Sequence, residues 1–198
     1  MEPIIYKSKF TQKDEVVYPW KQYKNEKLIP FALRDLQKVE WKPVKHNINP
    51  RPYQIPILHR SIETLRKQHC LFLALHCGFG KTKMATMLLC EMGLFPALIL
   101  TPGNAIATQF INTIKEDTKL SVSSIGNELT FSDINVATLQ LLVIRNYTKE
   151  DLSRYKVVIV DEAITACTQK RNDVLVTLSP QCMIGMCADV DRDDGFDK

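Results

Sequence analysis

Short apolar runs alternate along most of this chain with stretches in which apolar residues recur every third or fourth position. Ile57, Leu58, Ile62 and Leu65 set a helical rhythm over 55–67, approached through the turn-forming Asn49-Pro50-Arg51-Pro52. An apolar run then predicts a strand over 71–77. Residues 81–92 read as a helix closed by Gly93, 97–101 as a strand, and 104–116 as a helix with Asn104 at its N-cap. Further strands are expected at 135–138, 157–160 and 183–188, and short helices over 139–145 and 173–178. Such alternation means repeated βαβ units, hence an α/β fold with a mostly parallel sheet and helices on both faces. Ligands bind these sheets beyond the carboxyl ends of the strands.

The strand over 71–77 runs into Cys77-Gly78-Phe79-Gly80-Lys81-Thr82 and then into a helix. That is the build of a phosphate-binding loop. Two glycines let the backbone curl until successive N–H groups point at phosphate oxygens. Lys81 can reach the β- and γ-phosphates, the Thr82 hydroxyl can bind Mg²⁺, and the helix adds its positive N-terminal end. The full pattern has glycine where Leu75 stands, so the match is partial. A surface turn of the same composition is the plain alternative, and the flanking strand and helix argue against it.

Composition changes this picture little. The 198 residues suffice for one domain with an appendage, and 45% apolar with 24% charged residues is ordinary for a globular chain. The longest apolar runs are about five residues against the roughly 20 of a membrane span, and the first residues carry no apolar stretch of signal-peptide length. An intracellular protein with no membrane partner is expected. The six cysteines have no C-x-x-C spacing and do not combine with His46, His59, His69 or His76 at finger-like intervals. Reduced thiols, most of them in the core, are expected instead of disulfides or zinc.

Charge is uneven. Residues 1–48 hold ten Lys and Arg against six Asp and Glu, while the other 150 residues balance at sixteen each. The same segment carries Tyr6, Phe10, Tyr18, Trp20, Tyr23, Phe31 and Trp41. Basic residues among aromatics suit nucleic acid, through phosphates and base stacking. A net charge of +4 is mild, and a small packed module with solvated lysines accounts for it as well. The chain therefore divides into a basic, aromatic extension over 1–48 and a nucleotide-binding lobe over 49–198.

Val157-Val158-Ile159-Val160-Asp161-Glu162-Ala163 is a buried strand with two acids at its tip. Asp161 would hold Mg²⁺, commonly through water, and Glu162 would polarise the water that attacks the γ-phosphate. Alone such a strand means little; some 80 residues after a Gly-x-Gly-Lys-Thr loop it makes a strong pair.

With these residues in place, 49–198 resembles the first motor domain of superfamily 2 helicases and translocases, a RecA-like P-loop fold. His76 to Thr82 resembles motif I, Thr101-Pro102 through Gln109 motif Ia, and Val136 to Gln140 the later Thr-x-Gln motif. Asp161-Glu162-Ala163 matches motif II. Gly185 to Asp189, with Arg192 and Asp194-Gly195, is similar to motif III and its trailing segment. Arg51-Pro52-Tyr53-Gln54 resembles the adenine-reading element. The resemblance implies ATP and Mg²⁺ as cofactors, with Arg51, Gln54 and the loop Cys77, Gly78, Phe79, Gly80, Lys81 and Thr82 holding the nucleotide. It implies Thr82 and Asp161 at the metal, Glu162 and Lys81 in catalysis, and Pro102, Gln109 and Thr138 on single- or double-stranded nucleic acid. The chain also resembles helicases of large cytoplasmic DNA viruses, of the transcript-release type, which implies host cytoplasm or virion.

Ile164 stands where the family has a polar residue, and Cys187-Ala188-Asp189 where it has Ser-Ala-Thr. Ile cannot hydrogen-bond and Cys replaces a hydroxyl poorly, which puts unwinding in doubt more than ATP binding. A catalytically weak docking module derived from the lobe is therefore the rival reading. A small-molecule phosphotransferase is a third, disfavoured by the Asp-Glu-Ala strand and the Arg-Pro-Tyr-Gln element. The family places ATP between two RecA-like lobes, and the second supplies an arginine finger typically worth 10³–10⁵ in rate. The sequence is accordingly expected to be a piece of a longer protein, with weak nucleotide binding and slow hydrolysis by itself.

Overall fold

In a computed structural model of the chain, the described residues are 4–7, 14–17, 21–23, 26–28, 39–126, 132–145, 147–166, 171, 174, 175 and 177–188, the first four segments by backbone alone. Phe10, Tyr18, Trp20, Phe31, Asp189, Arg192, Asp194 and Gly195, all singled out above, lie outside them, as does Cys167, one of the six cysteines. Asp173 also falls outside; of the helix expected there, residues 174, 175 and 177 are helical.

The N-terminal strands form two antiparallel hairpins, β1 (Ile4–Lys7) with β2 (Asp14–Val17) and β3 (Lys21–Tyr23) with β4 (Glu26–Leu28). Six further strands make one all-parallel sheet. They are β5 (Cys70–Ala74), β6 (Ala97–Thr101), β7 (Val122–Ser124), β8 (Ile134–Thr138), β9 (Val157–Asp161) and β10 (Cys182–Cys187), in the order β5-β10-β9-β6-β8-β7. Side chains of a strand point alternately to its two faces, and here both faces are covered. Val157, Ile159, Ile99, Val136, Ile184 and Met186 join one apolar cluster. Val158, Val160, Leu98, Leu100 and Ala137 join the other. This two-sided burial is why the strands read as unbroken apolar runs.

The first cluster is closed by α1 (Gln54–Gln68), α2 (Lys81–Met92) and α3 (Asn104–Asp117), through Leu58, Leu65, Met84, Leu88, Phe110 and Ile114. The second is closed by α4 (Leu139–Arg145) and α5 (Lys149–Ser153), through Leu142 and Leu152. Helix α2 is buried almost all round because α1 and α3 flank it on the sheet. It ends at Gly93, in the left-handed conformation that glycine tolerates.

Several boundaries differ from the sequence reading. β5 stops at Ala74, not at 77, since the chain leaves the sheet to form the loop. Asn104 is the first residue of α3 rather than its cap; extended Gly103 precedes it, with no capping side chain. β7 and α5 were not expected. The stretch 39–48 lies along the ends of α2 and α3. Lys42 N–H donates to Met92 O at 3.2 Å, Val44 N–H to Cys90 O at 2.8 Å and Asn47 N–H to Asp117 O at 2.8 Å. Cys90, Cys182 and Cys187 are buried, Cys70 is half-buried, and Cys77 is exposed in the loop.

Candidate functional site

After Ala74 the backbone peels from the sheet while Leu75 N–H still donates to Cys187 O at 2.8 Å. The following turn depends on Gly78 and Gly80, whose φ angles of 82° and 94° are rarely open to other residues. Phe79 plugs the turn from inside, its ring edge-on to Tyr53 at 5.3 Å and to His76 at 5.5 Å. Gln54, only 3% exposed, fastens the loop to α1. Its Nε2 donates to Phe79 O at 2.8 Å, and its Oε1 accepts from Arg51 N–H at 2.9 Å. Both ends of the amide expected to read adenine are thus engaged within the chain. The Arg51 guanidinium is at the surface, donating to the Tyr53 hydroxyl at 2.6 Å.

Lys81 and Thr82 open α2, where the unsatisfied N–H groups and the helix dipole favour an anion. Two strands away, β9 ends at Asp161. Register aligns Cys187 with Ala74 and Met186 with Asp161, so the loop and the acids leave the same rim of the sheet. Lys81 Nζ stands 2.6 Å from Glu162 Oε1. Burial lowers the lysine's pKa, but the hydrogen bond to Glu162 and the charges of Glu162 and Asp161 outweigh it, and the net shift is upward. Asp161 is 6% exposed, and its Oδ1 has no hydrogen-bond partner. Burial pushes this carboxyl above its ordinary range against the pull of Lys81, and the Glu162 charge adds to the rise. Glu162 itself has a φ of 47°, a conformation non-glycine residues seldom hold. The N–H and hydroxyl of Thr165 both donate to its carbonyl at 2.8 Å and keep it there.

A buried acid with an orphaned oxygen and a threonine hydroxyl at a helix start could hold a phosphate-bound Mg²⁺, with the lysine left to face the phosphates. Such an ion takes one or two protein oxygens and fills its shell with phosphate and water. The lack of any group of three His, Cys, Asp or Glu among the described residues is compatible with it.

The expected nucleic-acid residues follow along the rim. Thr101 ends β6 and is paired in register with Thr138, the end of β8, so exposed Pro102 and half-buried Thr138 leave neighbouring strands beyond β9. Thr138 Oγ1 accepts from Leu141 N–H at 3.2 Å and so also starts α4. Gln109 is exposed on the second turn of α3. Ile164 is half-buried on the short 3-10 turn Ala163–Ala166. Sequence reasoning gave no role of their own to Tyr53 and His76, whose rings frame Phe79; an aromatic residue directly before Gln54 was the available signal. It also missed the bridging of Thr101, whose hydroxyl donates to Gly103 O at 3.2 Å and Ala137 O at 3.4 Å.

A family model described as Type III restriction enzyme, res subunit, matches residues 47–192. Among curated proteins, 109L of Invertebrate iridescent virus 3, named a helicase by inference, is 30% identical over 67% of this chain and 43% of its own length. QP509L of African swine fever virus, named an ATP-dependent RNA helicase in the same way, is 25% identical over 85% of this chain and 34% of its own. The chain thus spans less than half the length of these relatives. Among solved structures, the SWI2/SNF2 ATPase core of Sulfolobus solfataricus in complex with dsDNA has a TM-score of 0.67 at 20% identity, covering 77% of this chain and 34% of that one. The UvsW helicase of Bacteriophage T4 has a TM-score of 0.60 at 20% identity, covering 81% and 59%. At such identity the likeness is one of fold, the RecA-like α/β domain. Family and relatives together favour a motor lobe over a docking module. Among the described residues no helix is long and apolar enough to cross a membrane.

Proposed function

The chain belongs to the family described as Type III restriction enzyme, res subunit, and we propose that it forms the N-terminal RecA-like lobe of a superfamily 2 helicase, binds ATP with Mg²⁺ and acts, within a longer protein, as a nucleic-acid motor. The observation that carries the reading is the meeting of Lys81 with Glu162 at 2.6 Å beside the buried, unpaired Oδ1 of Asp161. Loop N–H groups around Gly78 and Gly80 receive the phosphates, and Lys81 exchanges Glu162 for the more highly charged β- and γ-phosphates. Thr82 and Asp161 would hold Mg²⁺, which would supply positive charge to offset that developing on the transferred phosphoryl group. Glu162, released from the lysine, accepts a proton from the attacking water. Gln54 keeps the loop in shape, and Arg51 with Tyr53 forms the surface beside which the base lies.

The partner is single- or double-stranded nucleic acid, met by Pro102, Gln109 and Thr138 on the same rim. A second RecA-like lobe of the parent chain closes the cleft and supplies the arginine finger. The extension over 1–48 is an accessory to this lobe, joined to it through residues 39–48. The viral relatives support action in the host cytoplasm or the virion.

The test is titration of the 198-residue chain with a fluorescent ATP analogue and Mg²⁺. Lys81→Ala is expected to weaken binding about tenfold or more, the worth of a charge-assisted hydrogen bond. Glu162→Gln is expected to bind at least as tightly as the parent while abolishing turnover in the full-length protein. Unchanged affinity in Lys81→Ala would remove the assigned loop from the site.

A further inference from the structure

We propose that a hollow at the foot of α1 is an accessory contact for one nucleotide of a single strand, on the side of the lobe away from the phosphate loop. The hollow has a volume of about 330 Å³ and is lined by Val39, Trp41, Arg66 and His69. That is the low end of small-ligand sites, enough for a single nucleotide unit. His69 directly precedes β5, whereas the phosphate loop follows its last residue. At about 3.3 Å per residue the two sites are separated by roughly 15 Å of strand.

The hollow is held in shape by groups with no part in the nucleotide site. Trp41 packs against the main core, fixed by the bonds of Lys42 and Val44 to the end of α2. Arg66 lies over its indole, 5.0 Å from the centroid. The guanidinium is exposed, and among the described residues it has no carboxylate partner. A planar cation stacked on a half-buried ring loses little freedom on binding. It presents a flat face to a base and N–H edges to a phosphate. The surrounding segments, 39–46 and 59–69, hold five Lys and Arg against two Glu, so the field around the hollow is positive. A planar, anionic ligand fits this chemistry, and a strand of nucleic acid offers both properties in each unit. The basic and aromatic character read in the extension thereby finds a use at Trp41.

The test measures binding of fluorescein-labelled oligo-dT by anisotropy, with Trp41 emission followed in a Trp20→Phe background, where it is the sole tryptophan. The oligonucleotide is expected to quench Trp41. Arg66→Ala should weaken binding about fivefold or more and lower the salt dependence by roughly 0.7 in log–log slope, one phosphate's share on a single strand. Arg66→Lys should keep most of that slope and lose part of the affinity. Gln109→Ala and Thr138→Ala, which probe the rim, should leave the quenching in place, and all variants should bind the ATP analogue as the parent does. Parental affinity and slope in Arg66→Ala, or Trp41 emission that ignores oligo-dT while responding to polyglutamate, would overturn the proposal, the latter in favour of an acidic protein partner.

Discussion

At Gly80 the backbone stands at φ 94°, and Gln54 Nε2 lies 2.8 Å from where a Cβ would begin. Any side chain there would strain the backbone and displace the amide that fastens the loop to α1. Gly80→Ala is therefore expected to cost about 1–3 kcal/mol and to weaken nucleotide binding along with stability. Gly103 supplies the control: its backbone is extended and a Cβ there meets nothing within 4 Å. Gly103→Ala should stay within about 0.5 kcal/mol of the parent. Urea unfolding of both variants, with and without nucleotide, separates the two outcomes, and equal behaviour would disprove the tie between Gln54 and the loop. The sequence reads Gly80 as part of a phosphate loop. It did not show that Gln54 supports the loop from behind, because that bond joins residues 25 positions apart. The φ of 47° at Glu162 was equally hidden, since no residue type announces it.

Among the elements, those with long apolar faces were legible and those held by polar bonds were not. Helices α1, α2 and α3 and strands β6 and β9 fall within a residue or two of where hydrophobic periodicity puts them. Strand β7 has one apolar residue in three and owes its place to pairing with β8, where buried Asn135 donates to Ser123 Oγ at 2.9 Å. Helix α5 is only five residues long, too short for a periodicity to develop, yet its start carried a signal. Thr148 and Asp151 form a capping box in which each side chain accepts from the other's backbone N–H, at 3.2 and 2.9 Å. The Thr148 backbone N–H, then its hydroxyl, hold the Asp151 carboxyl below its ordinary value. A depressed carboxylate pKa stabilises the fold above the unfolded-state value, near 3.8 here, and the contribution fades as pH falls through the folded-state value. Asp151→Ala should accordingly unfold at lower urea than the parent at pH 6. The gap should close as the pH is taken below 4. A gap of constant size across that range would mean that the carboxylate charge is not what caps α5.

For the whole molecule, the sequence prescribed a parallel sheet with its motifs at strand ends, and this suffices to gather them on one rim. It did not prescribe the strand order. That β10 runs between the loop strand and the acid strand follows from long-range pairing, which leaves no local trace in the chain. The same holds for the 39–48 segment, which charge and aromatic content group with the extension. It is joined to the lobe by backbone bonds at Lys42, Val44 and Asn47 and by the packing of Ile48 and Trp41. The close approach is possible only because Gly93 has no side chain: an ideal Cβ there would stand 1.7 Å from the Lys42 carbonyl oxygen. Gly93 also sits at φ 58°, so alanine would meet a left-handed cost of about 1–2 kcal/mol before any clash. The carbonyl is backbone and cannot swing aside as a flexible side chain would. Relief requires the segment to lift, with loss of the Lys42 and Val44 bonds and exposure of Trp41. Gly93→Ala is thus expected to lower stability by more than the backbone cost alone, and to speed tryptic cleavage after Lys45 under native conditions. Were cleavage there to stay at the parental rate while stability fell, the segment would be resting on the lobe without depending on Gly93, and the cost would belong to α2 alone.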